Sequence, residues 1–566
     1  MSKINFFALG GLGENGKNLY VLEILKEESD EINDIFILDA GLKYPTDELF
    51  GVDTLLPNIS YIIEHKDKVK AIFLSHGHEE QIGGLLEILK VVNVGVFGSH
   101  FTISVVEDMI SEAGLNVADY RLYRINEDKQ LKFGDIQVSF YNVAHSIPEA
   151  MHVAIKTSDG VIVYAPDFTF DVNNNSKYHT SIEKICDLGR ENILAVMAES
   201  IGSTNINRIN NDIVLDRVIN DILKTNKRVI FTAYSEELSR IQKIIDLSIA
   251  SARKVAIIGI KAQKIVNRGI ESGYLQIPVD KLVNLKYIDP SKGSYNNDDD
   301  LVVIVTGARH KPFYMVQRMC RHQDRLIEIN EGDTIVIASP TKAGNEIIAA
   351  KTIDEVYKVK AKYINITKDI MRSSHADSED LNMLYNILKP KYIIPIAGEA
   401  RHMMIHKKIC LDKGFSDDQV IILENGEVAT FIDGTITSTS GRVKVGDVLV
   451  DGSVVGDISK QVLKDRELMA EEGLALINMA INKEDNIIRS LPDVTLKGIV
   501  PADLQGAIIE DIIDVVMNEV QLQIRRHKYV DYDYLTEKLT QAVGSEIKRM
   551  TKKSPKVIIN FVDCIK

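Results

Sequence analysis

The chain has 566 residues, more than one hydrophobic core ordinarily holds, so we expect two to four domains. Hydrophobic residues make up 45% of it and charged residues 26%, and no apolar run approaches the roughly 18 residues of a membrane span. These values exclude a disordered or membrane-spanning class. The net charge of −14 disfavours a nucleic-acid ligand, although phosphate binding needs only local Lys and Arg.

The amino-terminal segment and the cysteines predict a location. The first residues run directly into a strand-like segment and lack the long apolar stretch and cleavage site of a signal peptide. The four cysteines are scattered, form no CxxC pair and are typical of reduced thiols. We therefore expect a cytoplasmic protein that makes no membrane contact.

In the first two hundred residues, four predicted strands end at a polar elbow. The elbows carry, in order, Asp39, Ser75 with His76, His145 and Asp167. Packing places apolar residues at alternate or continuous positions within a strand, whereas these polar residues follow the strands, where loops carry function. The pattern therefore predicts a site built from strand ends.

The rest of the chain predicts two further regions. From about residue 211, near-continuous apolar runs alternate with helical patterns, as in a buried parallel sheet, with strands at 228–232, 254–258, 301–305 and 334–338. A Gly- and Val-rich connector follows Gly441. From about Gln461 the pattern predicts a small α/β domain with a long helix over 504–526.

The strongest local motif is SHGHEEQIGG at 75–84. Two histidines at i and i+2 after a strand, followed by acids and Gly-Gly, resemble the HxHxDH signature of the metallo-β-lactamase superfamily. Two imidazoles on such an elbow can converge on one ion. For this motif alone, a solvated loop with incidental histidines is an equal alternative. The other elbows fall in the order that the superfamily uses, which favours the metal interpretation.

That resemblance implies a role for each elbow residue. His76, His78 and His145 would bind one metal ion, and Asp167 would bridge to a second. Asp39 would act from outside the ligand set, as a carboxylate that orients a ligand imidazole.

Several longer segments are similar to the RNase J family of β-CASP nucleases. They are ALGGLGENGKNLYVLE at 8–23, DAGLKYP at 39–45, SSHADSEDL at 373–381, PIAGEARH at 395–402 and VLVDGSVVGDI at 448–458. The segments occur in the family's order and span essentially the whole chain. The resemblance implies an α/β protein with an αββα metallo-β-lactamase sandwich, an inserted β-CASP domain and a small C-terminal domain.

The resemblance also implies boundaries and partners. The sandwich would comprise 1–210 and 374–450, the β-CASP domain 211–373, and a linker at 451–462 would lead to a dimerisation domain at 463–566. RNase J proteins bind RNA between the first two domains, degrade it from a 5′-monophosphate end and also cut internally. Hydroxyls, backbone N–H groups and a guanidinium suit phosphate oxygens, and the implied RNA contacts are Met371, Arg372, Ser373, Ser374 and His375.

The sequence departs from the family at the second metal position. The family's Glu-Asp-His is replaced by Glu79, Glu80 and Gln81, and a ligand histidine is replaced by Ala397. The first position keeps its three histidines and Asp167, a set that suits Zn²⁺ or Mn²⁺. We therefore expect one tight metal site and a second site that is weak or absent.

Other departures affect the phosphate-facing segments. Glu236 and Glu237 occupy phosphate-facing positions, and two acids there should repel a 5′-phosphate. The segment TGARHKP at 306–312 instead adds positive charge. The acid in MAESIGS is Glu199, where the family usually has Asp. This combination resembles the less active RNase J paralogue that accompanies a competent one in some Gram-positive bacteria.

Two functional interpretations stay open. The chain is either a slow metal-dependent exoribonuclease with Glu80 as its base and Asp39 and His375 as further catalytic residues, or an essentially non-catalytic subunit. The second would bind RNA and assemble with an active RNase J homologue. A small-molecule hydrolase fits the superfamily but not the inserted α/β block or the segment at 373–381.

The long helix near the C-terminus predicts an association surface. Apolar residues recur there at helical spacing and give an amphipathic face. The face either packs inside its own small domain or contacts a second chain, either a copy of this one or an RNase J homologue. Its residues are Leu504, Ile508, Ile512, Val515, Val516 and Val520.

Overall fold

A computed structural model of the chain divides into two compact units, a larger one of residues 1–47 with 53–450 and a smaller one of 48–52 with 451–566. The residues described are 3–26, 29–45, 51–170, 177–205, 212–259, 262–283, 285, 299–341, 344–367, 370, 373–452, 454–456, 460–483, 486–526 and 529–564. Within these ranges, no helix is both long and apolar enough to cross a membrane.

The strands, in chain order, are β1 (Lys3–Gly10), β2 (Leu19–Leu25), β3 (Ile32–Leu38), β4 (Thr54–Pro57), β5 (Val69–Phe73), β6 (Gly95–Ser99), β7 (Leu122–Ile125), β8 (Gln130–Phe133), β9 (Ile136–Asn142), β10 (Met151–Thr157), β11 (Gly160–Ala165), β12 (Ile193–Glu199), β13 (Val229–Tyr234), β14 (Lys254–Ile258), β15 (Leu301–Gly307), β16 (Thr334–Ile337), β17 (Lys362–Asn365), β18 (Tyr392–Ile396), β19 (Glu427–Ile432), β20 (Thr435–Arg442), β21 (Asp447–Asp451), β22 (Val454–Gly456), β23 (Leu474–Asn482), β24 (Ile487–Ile488), β25 (Asp493–Lys497) and β26 (Lys556–Asp563).

The α-helices are α1 (Ser60–Glu64), α2 (Glu79–Ile82), α3 (Leu85–Leu89), α4 (His100–Glu112), α5 (Ile182–Leu188), α6 (Asp212–Thr225), α7 (Leu238–Ala250), α8 (Ala262–Glu271), α9 (Lys311–Cys320), α10 (Glu346–Lys358), α11 (Ser378–Leu388), α12 (Ala400–Asp412), α13 (Lys460–Glu471), α14 (Gln505–Arg526) and α15 (Tyr532–Thr551).

Two sheets pack face to face in the larger unit. The first has the order β20-β19-β1-β2-β3-β5-β6-β7 and the second β18-β12-β11-β10-β9-β8. Aromatic side chains fill the space between them, and the ring centroids of Phe73 and Phe140 are 5.9 Å apart. Helices α1, α3 and α4 cover the outer face of the first sheet, and α5 and α11 cover that of the second. This layering confirms the predicted αββα sandwich.

The sandwich takes strands from both sides of an insertion. Strand β18 pairs in parallel with β12, and β19 pairs antiparallel with β1. The residues between β12 and β18 form a separate five-stranded sheet of order β14-β15-β13-β16-β17, in which all neighbouring strands are parallel. Strands β13, β14, β15 and β16 lie where continuous apolar runs predicted them, because a parallel sheet is covered on both faces. The exact domain boundaries stay predictions.

The four-stranded sheet of the smaller unit is built on β23, which pairs antiparallel with β25 and β24 and in parallel with β26. Helices α14 and α15 pack on one face of it. Ile508, Ile512, Val516 and Val520 of α14 are buried in this core, whereas Leu504 is exposed. The amphipathic face therefore packs inside its own domain, and the expectation that these four buried residues contact a second chain is wrong.

Truncating this core should loosen the smaller unit. Ile512→Ala removes a fully buried side chain and should cost about 2–5 kcal/mol, the usual range for such a cavity. Hydrogen exchange of the α14 amides measures the loss directly and should become faster. Ile487→Ala, at a half-exposed position of the same unit, is the matched control and should leave α14 exchange nearly unchanged.

Candidate metal centre

Three imidazoles and one carboxylate converge where strands of the sandwich end. His76 and His78 follow β5, His145 follows β9 and Asp167 follows β11. All four residues are buried, and one donor atom from each lies within 4.8 Å of the other three. The structure therefore brings together the whole predicted ligand set of the first metal.

The distances within this cluster fit a metal ion. His78 Nδ1 lies 3.0 Å from His76 Nε2 and 3.2 Å from His145 Nε2. Asp167 Oδ2 lies 3.5 Å from His76 Nε2 and 4.0 Å from His145 Nε2. Ligand bonds of about 2.0–2.2 Å place the donors of a tetrahedral site slightly more than ~3 Å apart. Asp167 Oδ1 is buried without a hydrogen-bond donor, which a cation nearby would offset.

Backbone carbonyls fix the orientation of two ligand imidazoles. His78 Nε2 donates to the Glu236 carbonyl at 3.2 Å, and His145 Nδ1 donates to the Ser374 carbonyl at 2.8 Å. A carbonyl only accepts, so these nitrogens carry the protons and the other two direct their lone pairs at the centre. Burial lowers the pKa of His78 to about 3 and holds that of His145 well below its usual value. Both imidazoles are therefore neutral, the form that binds metal.

The third imidazole is oriented through a serine. Ser75 Oγ donates its only proton to Asp39 Oδ2 at 2.7 Å and lies 3.0 Å from His76 Nδ1, so it accepts a hydrogen bond from the His76 Nδ1–H. Asp39 also accepts from Ser75 N at 2.7 Å and from Tyr164 Oη at 2.6 Å. Burial raises the Asp39 pKa to about 6, against the effect of the nearby His76. Asp39 thus reaches the imidazole through Ser75 and not directly, a link that sequence reasoning missed.

The residues predicted at a second metal position include an amide and a methyl group. Gln81 is buried, and its Nε2 donates to Asp167 Oδ2 at 3.2 Å. Ala397 is buried with a left-handed backbone (φ 45°) and offers only a methyl group. Among the described residues, two groups of converging donors could hold a metal ion, and Glu80 belongs to neither of them. Burial raises the pKa of the Tyr44 phenol, and the charges of Glu79 and Glu80 raise it further.

A second polar cluster joins Asp167 from the opposite side. His375 Nδ1 lies 2.8 Å from Glu199 Oε2 and 3.6 Å from Asp167 Oδ1. Glu199 Oε1 accepts from the backbone N–H groups of Phe168 and Ala376 at 2.8 and 2.9 Å. Burial opposes protonation of His375, but the two carboxylates outweigh it and hold its pKa well above the usual value. His375 is therefore an imidazolium at the edge of the centre.

The predicted RNA-contact segment borders this centre. The Ser374 carbonyl holds His145, and Ser373 Oγ accepts from the His375 backbone N–H at 3.1 Å. Met371 and Arg372 lie outside the described residues. The described part of the segment thus shapes the metal centre itself, in addition to any role toward RNA.

Charged groups from the inserted sheet stand beside the centre. The Glu237 carboxylate forms an ion pair with Arg240, which offsets one of the two acids expected to repel phosphate. Arg309, in the segment that adds positive charge, lies 4.4 Å over the Tyr44 ring. The Tyr44 hydroxyl in turn donates to Glu79, the residue after His78.

Three family models match the chain. "Ribonuclease J, beta-CASP domain" matches residues 226–356, "Zn-dependent metallo-hydrolase RNA specificity domain" matches 359–420, and "Ribonuclease J C-terminal domain" matches 461–564.

Full-length relatives agree with these matches. The chain is 30% identical to Ribonuclease J 2 of Staphylococcus aureus, over 98% of this chain and 97% of the relative. It is 32% identical to Ribonuclease J 2 of Streptococcus pyogenes, over 99% of each chain. A solved protein of unknown function from Enterococcus faecalis shares the fold, with a TM-score of 0.52 at 14% identity over 76% of this chain and 100% of that one. The chain belongs to the RNase J family of ribonucleases, with a metallo-β-lactamase sandwich and an inserted β-CASP domain.

Proposed function

We propose that this chain is a metal-dependent ribonuclease that hydrolyses RNA in the 5′→3′ direction from a 5′-monophosphate end, and also cuts internally, during cytoplasmic RNA maturation and decay. We further propose that it holds one tight metal ion and turns over slowly. The observation that carries the proposal is the four-donor cluster of His76, His78, His145 and Asp167, with its lone pairs directed inward.

The metal would be Zn²⁺ or Mn²⁺, held by the three histidines and Asp167. Bound there, the ion would lower the pKa of a water molecule and polarise a phosphoryl oxygen. Glu80 is the proposed proton acceptor for the attacking water. Asp39 keeps His76 in the tautomer that binds metal, acting through Ser75.

RNA would lie against the 371–375 segment. The hydroxyls and backbone N–H groups of Ser373 and Ser374, together with Met371 and Arg372, would contact the phosphate backbone. His375, held as an imidazolium by Glu199 and Asp167, would donate to a phosphate oxygen at the reacting centre.

The proposed loss of activity follows from Gln81 and Ala397. A second ion would clamp the attacking and leaving oxygens together with the first. Here the Gln81 amide donates to Asp167 Oδ2 at 3.2 Å, and the Ala397 side chain offers no donor atom. A neutral amide supplies a hydrogen bond but little positive charge, so we expect slow hydrolysis.

The same observation favours an alternative, an essentially non-catalytic subunit that binds RNA and assembles with an active RNase J homologue. The two proposals differ in whether this chain turns over RNA by itself. A variant that removes the first metal separates them, because only the enzyme loses activity with the metal.

Association through the C-terminal region stays a proposal, both for a homodimer and for a complex with an RNase J paralogue. The helix face first considered is buried, but two apolar residues on the face of the sheet away from α14 are exposed. Ile558 and Val562 on β26 are 38% and 53% exposed. Within the described part of the chain, β26 pairs only with β23, which leaves one long edge for a second chain.

One equivalent of metal should survive mild chelation of the purified protein, as measured by elemental analysis. The variants His76→Ala and His145→Ala should not retain this metal, because each removes one of the four ligand residues of the site. Digestion of 5′-monophosphorylated RNA, run beside this, should be weak, stimulated by Mn²⁺ and absent in both variants. His100→Ala, at an exposed histidine, is the control. Two retained equivalents would contradict the one-metal proposal, and activity unchanged in both variants would favour the non-catalytic subunit.

Rebuilding the second position should restore it. Glu80→Asp, Gln81→His and Ala397→His together supply every expected protein ligand, and histidine tolerates the left-handed backbone at 397 better than most residues. These side chains should act as a unit, so each single change should do little and the triple change should add a second metal equivalent and raise turnover. A triple variant that binds no second ion would show that the backbone around these three residues also differs from that of a two-metal site.

Charges on β26 should weaken association. The double variant Ile558→Lys with Val562→Lys should shift the full chain, alone or mixed with an intact RNase J homologue, toward monomers in light scattering. Leu491→Lys, at an exposed apolar residue of the same unit, is the matched control. Unchanged dimers and mixed complexes in the double variant would place the interface elsewhere.

A further inference from the structure

The loop that carries His145 is held in a strained conformation at its far end. The Val143 N–H donates to the Ala150 carbonyl at 2.9 Å and closes the loop. Within it, Glu149 adopts a left-handed backbone (φ 56°), which a residue with a side chain rarely does. Such a conformation persists only where the surroundings hold it.

Two parts of the larger unit hold Glu149. Its Oε2 accepts from the Phe101 N–H at 2.8 Å, at the start of α4 in the sandwich. Its Oε1 accepts from the hydroxyl of Tyr274, which follows α8 in the inserted β-CASP domain. The Tyr274 ring also packs edge-on against Phe101, with centroids 5.4 Å apart. One carboxylate therefore joins the insert, helix α4 and the His145 loop.

Two further hydrogen bonds connect the insert to the metal ligands. The Ser239 N–H donates to the Ser146 carbonyl at 3.1 Å, directly after His145. The Glu236 carbonyl accepts the proton of His78 Nε2 at 3.2 Å. The insert thus contacts both ends of the His145 loop and one ligand imidazole itself.

We propose that the β-CASP domain sets the metal affinity of the centre, with Tyr274 and Glu149 as the positioning residues. The inference rests on the proposed function, since it requires a metal bound by His145. When Tyr274 leaves, Glu149 loses one of its two donors and the loop that orients His145 loses a restraint. Linkage makes the effect reciprocal, so bound metal strengthens docking of the insert, and RNA that moves the insert off Glu149 weakens metal binding.

The test is the Zn²⁺ dissociation constant of the full chain, measured by competition with a chromophoric chelator. Tyr274→Phe keeps the ring against Phe101 and removes only the hydroxyl. Glu149→Gln keeps the size of the side chain and removes the charge. Each should weaken Zn²⁺ binding by up to about tenfold, because the part of the lost hydrogen bond that differs between the metal-bound and metal-free states enters the dissociation constant. Tyr363→Phe, a half-buried tyrosine on β17 of the same domain, should stay within about twofold of the wild type.

Hydrogen exchange gives a readout independent of affinity. Zn²⁺ should slow exchange around residue 274 in the wild type and do so less in Glu149→Gln. Thermal unfolding of the metal-free variants confirms that they are folded. A wild type that binds neither Zn²⁺ nor Mn²⁺ would overturn the proposed function, whereas an affinity for the bound ion equal to the wild type in either folded variant would overturn this inference alone.

Discussion

The convergence of three imidazole lone pairs on one buried point is the constraint on which the rest of the centre depends. His78 Nδ1 stands within 3.2 Å of a nitrogen of each of the other two histidines, and all three side chains are buried. Neutral imidazoles that direct lone pairs at each other repel unless a cation lies between them. The fold must therefore hold these rings in place by other contacts.

Those contacts come from distant parts of the chain. Ser75 and Asp39 hold His76 from within the first sheet, the Ser374 carbonyl holds His145 from the chain returning after the insertion, and the Glu236 carbonyl holds His78 from the insert. Each contact fixes a tautomer and so decides which ring nitrogen faces the centre. The metal site is therefore complete only when the sandwich and the insert are assembled together.

The two carboxylate oxygens of Asp167 have different partners. On one side its Oδ2 accepts from the Gln81 amide, and on the other its Oδ1 lies 3.6 Å from the His375 imidazolium. Asp167 therefore contacts the histidine cluster, one amide and the His375 imidazolium. In the proposed mechanism, the positive charge near a phosphate would come from one metal ion and His375, and this is the basis of the slow hydrolysis that we propose.

The sequence by itself determined which polar residues follow the strand ends and where the parallel strands of the insertion lie, because strand ends and continuous apolar runs are local patterns. The αββα sandwich and the ligand roles were implied by the resemblance to the RNase J family. Only the tertiary structure decided which groups orient the donors. Every residue carries a backbone carbonyl, so the sequence does not distinguish the carbonyls of Glu236 and Ser374 from any other. Tyr164 has the pattern of an ordinary strand residue. The apolar face of α14 has the same sequence pattern whether a sheet or a second chain covers it. In this structure β23 and its neighbouring strands cover it. Local chemistry is written in the sequence, but which distant partner satisfies each group is settled only when the chain packs.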